Sequence, residues 1–130
     1  HDYMRLLEQV VIDTIAEFGI VGYRDAGATG VWIQRDGQLA KIAAMGVRVR
    51  RWISMHGLAL NVTTNLEHFK LIVPCGLAER PVTSLRELLG EDCPGMDCVK
   101  ATLMVHLRNH LTQARSCALA HRLDTGADDA

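Results

Sequence analysis

The chain has 130 residues, a formal net charge of −1, and 48% hydrophobic against 22% charged residues. That length suits one domain with its own core, and that balance excludes an intrinsically disordered chain. The near-zero charge excludes a global field that would attract nucleic acid or an anionic membrane, and no apolar run is long enough to span a bilayer. Because no signal-peptide pattern opens the sequence, we expect a cytoplasmic protein whose four cysteines are free thiols.

A helix is predicted at the start of the chain. Apolar residues recur at helical spacing over residues 2–18, and Gly19 follows as the expected stop. These apolar positions are Met4, Leu7, Val11, Ile15 and Phe18. A short strand is predicted next, over 20–24, and leads into a glycine-rich turn at Gly27 and Gly30.

The middle of the chain is predicted to form strands. They are expected over 31–34, 39–45, 47–55 and 58–62. Asp36-Gly37 is a strong hairpin signal between the first two, and His56-Gly57 precedes the last. Because the strands cluster and short turns join them, we expect an α/β (α+β) fold with a mixed, mostly antiparallel central sheet flanked by helices.

Two helices are predicted in the last third of the chain. Ser84-Leu85-Arg86-Glu87 is a capping-box pattern that opens a short helix. Apolar residues at helical spacing, beginning with Val99 and Leu103, predict a long amphipathic helix from Asp97 to about His121. Residues 122–130 are expected to form a disordered acidic tail, which leaves 1–121 as a single domain.

Two residues, Cys75 and Lys41, stand out chemically. Cys75 lies in "IVPCG", where a proline ends an apolar strand and a turn presents the cysteine beside backbone N–H groups. Spacing alone favours a small buried hydrophobe over a nucleophile, since burial is the commonest fate of a free cysteine. Lys41 heads an otherwise apolar segment and is either a surface lysine at a strand end or the partner of a nucleophile.

Several motifs in fixed order favour a catalytic role for Cys75 and Lys41 over a purely structural one. They are "GVWI", "KIAAMGVRVRR", "HGLALNV", F-x-x-"IVPCG" and "VTSL". Together they resemble the C-terminal half of the lipoyl(octanoyl) transferases, enzymes that move an octanoyl group from acyl carrier protein to a lysine of a lipoyl domain. The resemblance runs from about Tyr3 to Leu89. It implies a partial catalytic domain with the biotin/lipoate protein ligase-like fold, incomplete at its N-terminus.

The resemblance implies a catalytic dyad of Lys41 and Cys75. As a thiolate, Cys75 would attack the octanoyl thioester and form an acyl-enzyme thioester. Lys41 would act as general acid/base and take a proton from the incoming target lysine. Because thioester to amide is downhill, no ATP, other cofactor or metal is expected.

Further residues are expected to bind substrate. Gly46 and the backbone at Gly76 are candidates for oxyanion donors. The resemblance implies that the "HGLALN" stretch lines the acyl pocket, which would place His56, Gly57 and Ala59 near the substrate. A structural histidine remains the alternative for His56.

The resemblance also implies partners. Acyl carrier protein would be the octanoyl donor, and lipoyl domains of 2-oxoacid dehydrogenase subunits and the glycine cleavage H protein would be the acceptors, within mitochondria if the source is eukaryotic. No nucleic acid or membrane partner is expected. Arg48, Arg50 and Arg51 form a basic face that is either simply solvated or docks these acidic partners.

One part of the family pattern is missing. The family carries an N-terminal segment with Arg-Gly-Gly and His-Gly-Pro-Gly-Gln motifs that completes the acyl pocket, and this sequence has neither. We therefore expect a fragment, or a half supplied by a partner chain, with an open groove beside Cys75.

Three alternatives stay open. An ATP-dependent lipoate or biotin protein ligase relative would share the fold, although the cysteine of "PCG" favours a transferase. A catalytically inactive relative would only bind lipoyl domains. A metal-binding module would use a zinc site drawn from Cys93, Cys98, His106 and His110.

Overall fold

The computed structural model describes residues 2–51, 53–67 and 80–124, and it shows a sheet flanked by helices. Helix α1 (Asp2–Ala16) is followed by strands β1 (Tyr23–Asp25), β2 (Ala28–Arg35), β3 (Gln38–Arg50) and β4 (Ile53–Leu60), and then by helices α2 (Leu85–Leu89) and α3 (Met96–Asp124). The four strands form one antiparallel sheet in the order β1-β2-β3-β4. The predicted fold class is therefore confirmed.

Helix α1 ends through its own backbone. The Gly19 N–H donates to the Ala16 carbonyl at 3.0 Å, and the Ile20 N–H donates to the Ile15 carbonyl at 3.1 Å, as in a Schellman motif. The predicted stop at Gly19 is confirmed. Because the Ile20 N–H is used in this cap, β1 begins only at Tyr23, later than the predicted start at residue 20.

The hairpin between β2 and β3 forms where the sequence predicts it. Asp36 and Gly37 have φ values of 50° and 78°, and Arg35 pairs with Gln38. Two consecutive residues with positive φ define the type I′ turn, whose twist matches that of paired strands.

The predicted division of residues 39–62 into strands is wrong. Strand β3 is continuous for 13 residues, and β4 begins at Ile53 after a turn in which Arg51 has φ 50°. Gly46 and Gly57 do not break the sheet, because they face each other in an uninterrupted antiparallel register. His56-Gly57 therefore lies inside β4.

The core lies between one sheet face and the helices. Its buried members come from α1, β2, β3, α2 and α3 and from the segments after α1 and after β4: Val11, Ile15, Ile20, Val31, Ile33, Ile42, Ala43, Val62, Leu85 and Val99. The predicted N-cap of α2 is confirmed, since Ser84 Oγ accepts from the Glu87 N–H at 3.1 Å. The Glu87 carboxylate accepts from Arg35 at 2.6 Å and ties α2 to the end of β2.

Helix α3 packs over only part of its length. His106 lies 3.2 Å from Glu17 and His110 lies 2.6 Å from Asp13, which fixes α3 beside α1. Beyond residue 110, every described residue of α3 is exposed. The helix continues to Asp124, so residues 122–124 are helical and not part of a disordered tail, while 125–130 lie outside the described residues.

None of the helices in the described ranges is both long enough and apolar enough to cross a membrane.

Candidate active site around Lys41

Lys41 lies on the sheet face opposite the core. It pairs with Trp32 across the β2–β3 register, and cross-strand partners project from the same face. Val31 and Ile33, the neighbours of Trp32, belong to the core on the other face. The half-buried Lys41 side chain lies with Nζ 4.9 Å from the centroid of the Trp32 ring, within the range of a cation–π contact.

The backbone of Lys41 is held on both edges of β3. The strand β2 pairs along one edge. On the other edge, the Lys41 N–H donates to the Pro81 carbonyl and the Lys41 carbonyl accepts from the Thr83 N–H, each at 2.9 Å. These two bonds form an isolated parallel bridge between Lys41 and Val82. The position of the lysine backbone is therefore fixed by two separate parts of the chain.

Gly30 makes room for the lysine stem. A Cβ at this position would lie 2.6 Å from the Ala43 carbonyl oxygen and 3.3 Å from Lys41 Cε. Gly30 also has φ +130°, which L side chains rarely adopt. Any larger residue would therefore strain β2 and crowd the lysine.

Glu8, on helix α1, holds the backbone of Gly30 in place. Its fully buried carboxylate accepts from the Gly30 N–H at 3.1 Å, from Arg5 at 2.8 Å and from Arg24 Nε at 3.2 Å. These bonds connect α1 to β1 and β2, and they satisfy a charge that would otherwise be costly to bury. Glu8 was not predicted as a site residue, although an acid between Met4 and Val11 on the apolar stripe of a predicted helix is a usable signal.

Arg80 contacts the same aromatic ring, that of Trp32, as Lys41. Its Cζ lies 4.9 Å from the Trp32 centroid, and its guanidinium forms an ion pair with Asp25. The Gly27 N–H, donating at 2.9 Å, and then Arg80 lower the pKa of Asp25 and keep it ionised. Neither Trp32 nor Arg80 was identified as a candidate from the sequence, because only the fold brings them to Lys41.

The surroundings of Lys41 disfavour its charged form. Burial, and secondarily the positive charge of Arg80, lower the pKa of the Lys41 amine. Within residues 2–51, 53–67 and 80–124, no carboxylate forms an ion pair with Lys41 to oppose this effect. A lysine of this kind is suited to accept and donate protons.

Three other predicted site residues lie along β3 and β4. Gly46 pairs with Gly57, and Ala44 pairs with Ala59, so that these small residues share one face of the sheet. A β-bulge between Lys41 and Ala43 shifts the alternation of β3 by one residue, and this shift places Ala44 and Gly46 on the same face as Lys41. Ala44, Gly46 and Ala59 are exposed, and a Cβ at either glycine would meet no atom of the described residues within 4 Å. In the described part of the chain, this face is therefore open and lined by small residues.

The remaining predicted residues are not all described. The His56 backbone pairs with Val47, but its side chain, like that of Arg48, lies outside what the structure describes. Cys75 and Gly76 also lie outside the described residues, so the dyad distance and the expected groove beside Cys75 stay predictions.

The alternative zinc site is not formed. His106 and His110 contact Glu17 and Asp13 on α1, and Cys98 is exposed. In the part of the chain that the structure describes, no group of three or more His, Cys, Asp or Glu side chains converges as metal ligands do. The zinc interpretation is therefore wrong.

Comparison with known proteins identifies the family. A model of the lipoyl protein ligase A/B catalytic domain matches residues 1–108. The chain belongs to this family. Its antiparallel sheet with flanking helices accordingly represents the biotin/lipoate ligase-like fold.

Curated relatives include octanoyltransferases from several organisms. The chain is 48% identical over 109 residues to that of Cytophaga hutchinsonii, covering 82% of this chain and 44% of the relative. It is 47% identical over 115 residues to that of Flavobacterium johnsoniae (88% and 49%). It is 54% identical over 96 residues to that of Gloeobacter violaceus (74% and 39%). The chain thus spans about half the length of these relatives or less.

Proposed function

We propose that the protein containing this chain is an octanoyltransferase of protein lipoylation. It moves an octanoyl group from acyl carrier protein to a lysine of a lipoyl domain, with Cys75 as nucleophile and Lys41 as general acid/base. The acceptors are lipoyl domains of 2-oxoacid dehydrogenase subunits and the glycine cleavage H protein. The similarity to curated octanoyltransferases supports the reaction class.

The reaction proceeds in two balanced steps. The Cys75 thiol gives its proton to the Lys41 amine, and its sulfur attacks the carbonyl carbon of the donor thioester; the carrier thiol leaves and takes that proton. In the second step the amine of the target lysine attacks the acyl-enzyme, a C–N bond forms and the C–S bond to Cys75 breaks. Cys75 leaves as a thiolate, and Lys41 accepts the proton that the target amine loses and returns it to this thiolate.

The observation that carries the proposal is the environment of Lys41. A general base must be neutral at working pH, and an ordinary lysine is almost fully protonated there. Here burial and Arg80 lower the pKa of Lys41, and the described part of the chain supplies no carboxylate partner. This is the electrostatic requirement for proton transfer by lysine.

The chain connection supports the involvement of Cys75. The segment 81–83 is hydrogen-bonded directly to Lys41, and Cys75 precedes Arg80 by five residues. Since an extended chain spans at most about 3.6 Å per residue, the Cα atoms of Cys75 and Arg80 are within about 18 Å of each other. Covalent geometry therefore permits the thiol to reach the amine.

The small-residue face supports acyl binding. At about 3.3 Å per residue, Ala44 and Gly46 lie roughly 10 and 17 Å along β3 from Lys41. An extended octanoyl chain whose carbonyl is near Lys41 would end near Ala44 and its partner Ala59, and it is too short to reach Gly46 and Gly57. Among the described residues, the two glycines leave the space beyond this end of the acyl chain open. We propose His56 and Gly76 as further contributors to this site, and Arg50 and Arg51, both exposed, as part of the docking surface for acidic carriers.

The test uses the full-length protein with octanoyl–acyl carrier protein and a lipoyl domain, without ATP. The expected result is an octanoyl mass increase on the lipoyl domain, lost in Cys75→Ser and retained in the matched control Cys93→Ser. Transfer that requires ATP and free octanoate, or that survives Cys75→Ser, would favour the ligase alternative.

A further inference from the structure

We propose that Arg80, held by Asp25 against Trp32, is a positioning residue that keeps the Lys41 amine on the ring and opposes its protonation. This inference rests on the proposed function, because it explains how the general acid/base of that reaction is held in place and kept neutral.

The first support is the geometry of the ring. Trp32 is fully buried, and its Nε1–H donates to the Ala28 carbonyl at 3.2 Å, which fixes the indole. Lys41 Nζ and Arg80 Cζ each lie 4.9 Å from its centroid. Two cations on one fixed ring restrict each other, so the orientation of Lys41 depends on where Arg80 lies.

The second support is the way Asp25 holds Arg80. One carboxylate oxygen of Asp25 accepts from the Gly27 N–H at 2.9 Å, and the other forms the ion pair with Arg80. Asp25 is the last residue of β1 and pairs with Ala28 of β2, two strands away from Lys41. The position of Arg80 is thus fixed by the outer strand β1.

The third support comes from the charges near Lys41. Among the described residues, the charged neighbour on its own side is Arg80, with Asp25 behind it. Glu8 approaches from the other side of Gly30, but its carboxylate is already bonded to Arg5, Arg24 and the Gly30 N–H. The charge of Arg80 lowers the pKa of Lys41, so removing Arg80 should shift the Lys41 titration to higher pH.

The test measures Lys41 itself as well as transfer. In the full-length protein, competitive labelling with acetic anhydride across pH, read by mass spectrometry, gives the titration midpoint of the Lys41 amine. Arg80→Met should move this midpoint to higher pH, and Arg80→Lys, which keeps a cation, should largely restore it. Arg86→Met removes an exposed arginine of α2 and should leave the midpoint unchanged.

Transfer rates give the second readout. In Arg80→Met, kcat/KM at neutral pH should fall by about 3- to 10-fold and recover at higher pH, because the neutral amine is then regained. A merely structural role would lower the rate at every pH alike. Arg80→Gln provides a second neutral variant if Arg80→Met misfolds.

The outcomes separate the two proposals. If Lys41 variants lose transfer but neither neutral Arg80 variant shifts the labelling midpoint upward, the role of Arg80 is overturned and the proposed function stands. If Lys41 variants transfer normally, the proposed function falls, and Arg80 has no catalytic group to position.

Discussion

A lysine can accept a proton only after it has lost its own, so its immediate neighbours decide whether it can serve as a base. Among the described residues, the neighbours of Lys41 are an indole ring, a second cation and a glycine that leaves space for its stem. None of them is a carboxylate that would stabilise the ammonium. The local chemistry is therefore that of a proton acceptor, in contrast to an exposed strand-end lysine.

Gly30→Ala is expected to disturb this site through the backbone. The new Cβ would lie 2.6 Å from the Ala43 carbonyl oxygen at a φ of +130°, so β2 must shift away from β3. We expect a loss of about 1–3 kcal/mol in the free energy of unfolding in the full-length protein, measured by urea denaturation.

Gly27→Ala is the matched control for that change. Its Cβ would come no closer than 3.6 Å, to Asp25 Oδ1, which is ordinary van der Waals contact. A Gly30→Ala variant as stable as Gly27→Ala would contradict the close approach between β2 and Lys41.

Individual site residues were predictable from the sequence only where a motif marks them. Lys41, Gly46 and Gly57 were predicted by the ordered family motifs, and the structure places them on one sheet face. Glu8 and Trp32 carry no such mark, because their roles arise from contacts between α1, β2 and the segment at Arg80. Tertiary neighbours of this kind cannot be obtained from spacing along the chain.

At the scale of elements, local chemistry was predictable and strand boundaries were not. The Asp36-Gly37 turn, the Gly19 stop and the Ser84 cap each depend on a few adjacent residues. The continuity of β3 depends instead on its register with β4, which the glycines at 46 and 57 do not interrupt because they face each other. The pairing of β3 with β4 thus outweighed the local tendency of these glycines to end a strand.

The small-residue face of β3 and β4 yields a specificity prediction. Ala59→Leu adds a bulky side chain beside Ala44, on the face proposed to bind the acyl chain. We expect kcat/KM for octanoyl–acyl carrier protein to fall by about tenfold, while a butanoyl donor, which does not reach this position, is affected less.

Ala101→Leu, at an exposed alanine of α3, is the control for added bulk and should change neither rate. Equal losses for the octanoyl and butanoyl donors in Ala59→Leu would argue against acyl binding on this face.

The contact between α1 and α3 predicts a pH dependence of stability. Burial raises the pKa of Asp13, but hydrogen bonds from His110 and Gln9 outweigh it, so that the pKa lies below the usual value of an aspartate. A carboxyl whose folded pKa is depressed contributes stability above its unfolded pKa, and this is lost as pH falls through the folded value.

Unfolding measurements across pH test this contact in Asp13→Asn. The variant should be less stable than wild type near neutral pH, and the difference should shrink as pH falls below about 4. Glu91→Gln, at an exposed acid outside the contact, should show no such convergence. A difference that stays constant down to low pH would contradict the stabilising role of the Asp13–His110 contact.

At the scale of the whole molecule, the family match and the packing of α3 agree. The matched region ends at residue 108, and the described part of α3 beyond residue 110 is exposed. The order of motifs was sufficient to predict the family and the fold class. Their order could not predict the extent of α3 or its attachment to α1 through two histidines, because those contacts lie outside the motifs.

The central claim is that Lys41 accepts the proton of the target lysine, and Lys41→Arg tests it most directly. The full-length variant is loaded from octanoyl–acyl carrier protein, mixed with a lipoyl domain, and followed by mass spectrometry in a single turnover. Arginine keeps the positive charge beside the thiolate but cannot deprotonate at accessible pH. The acyl-enzyme on Cys75 should still form, because the thiol can lose its proton to water and the arginine stabilises the thiolate, while transfer from the acyl-enzyme slows by about 100-fold or more. Transfer at the wild-type rate would contradict the general-base role and leave Lys41 as an electrostatic neighbour only.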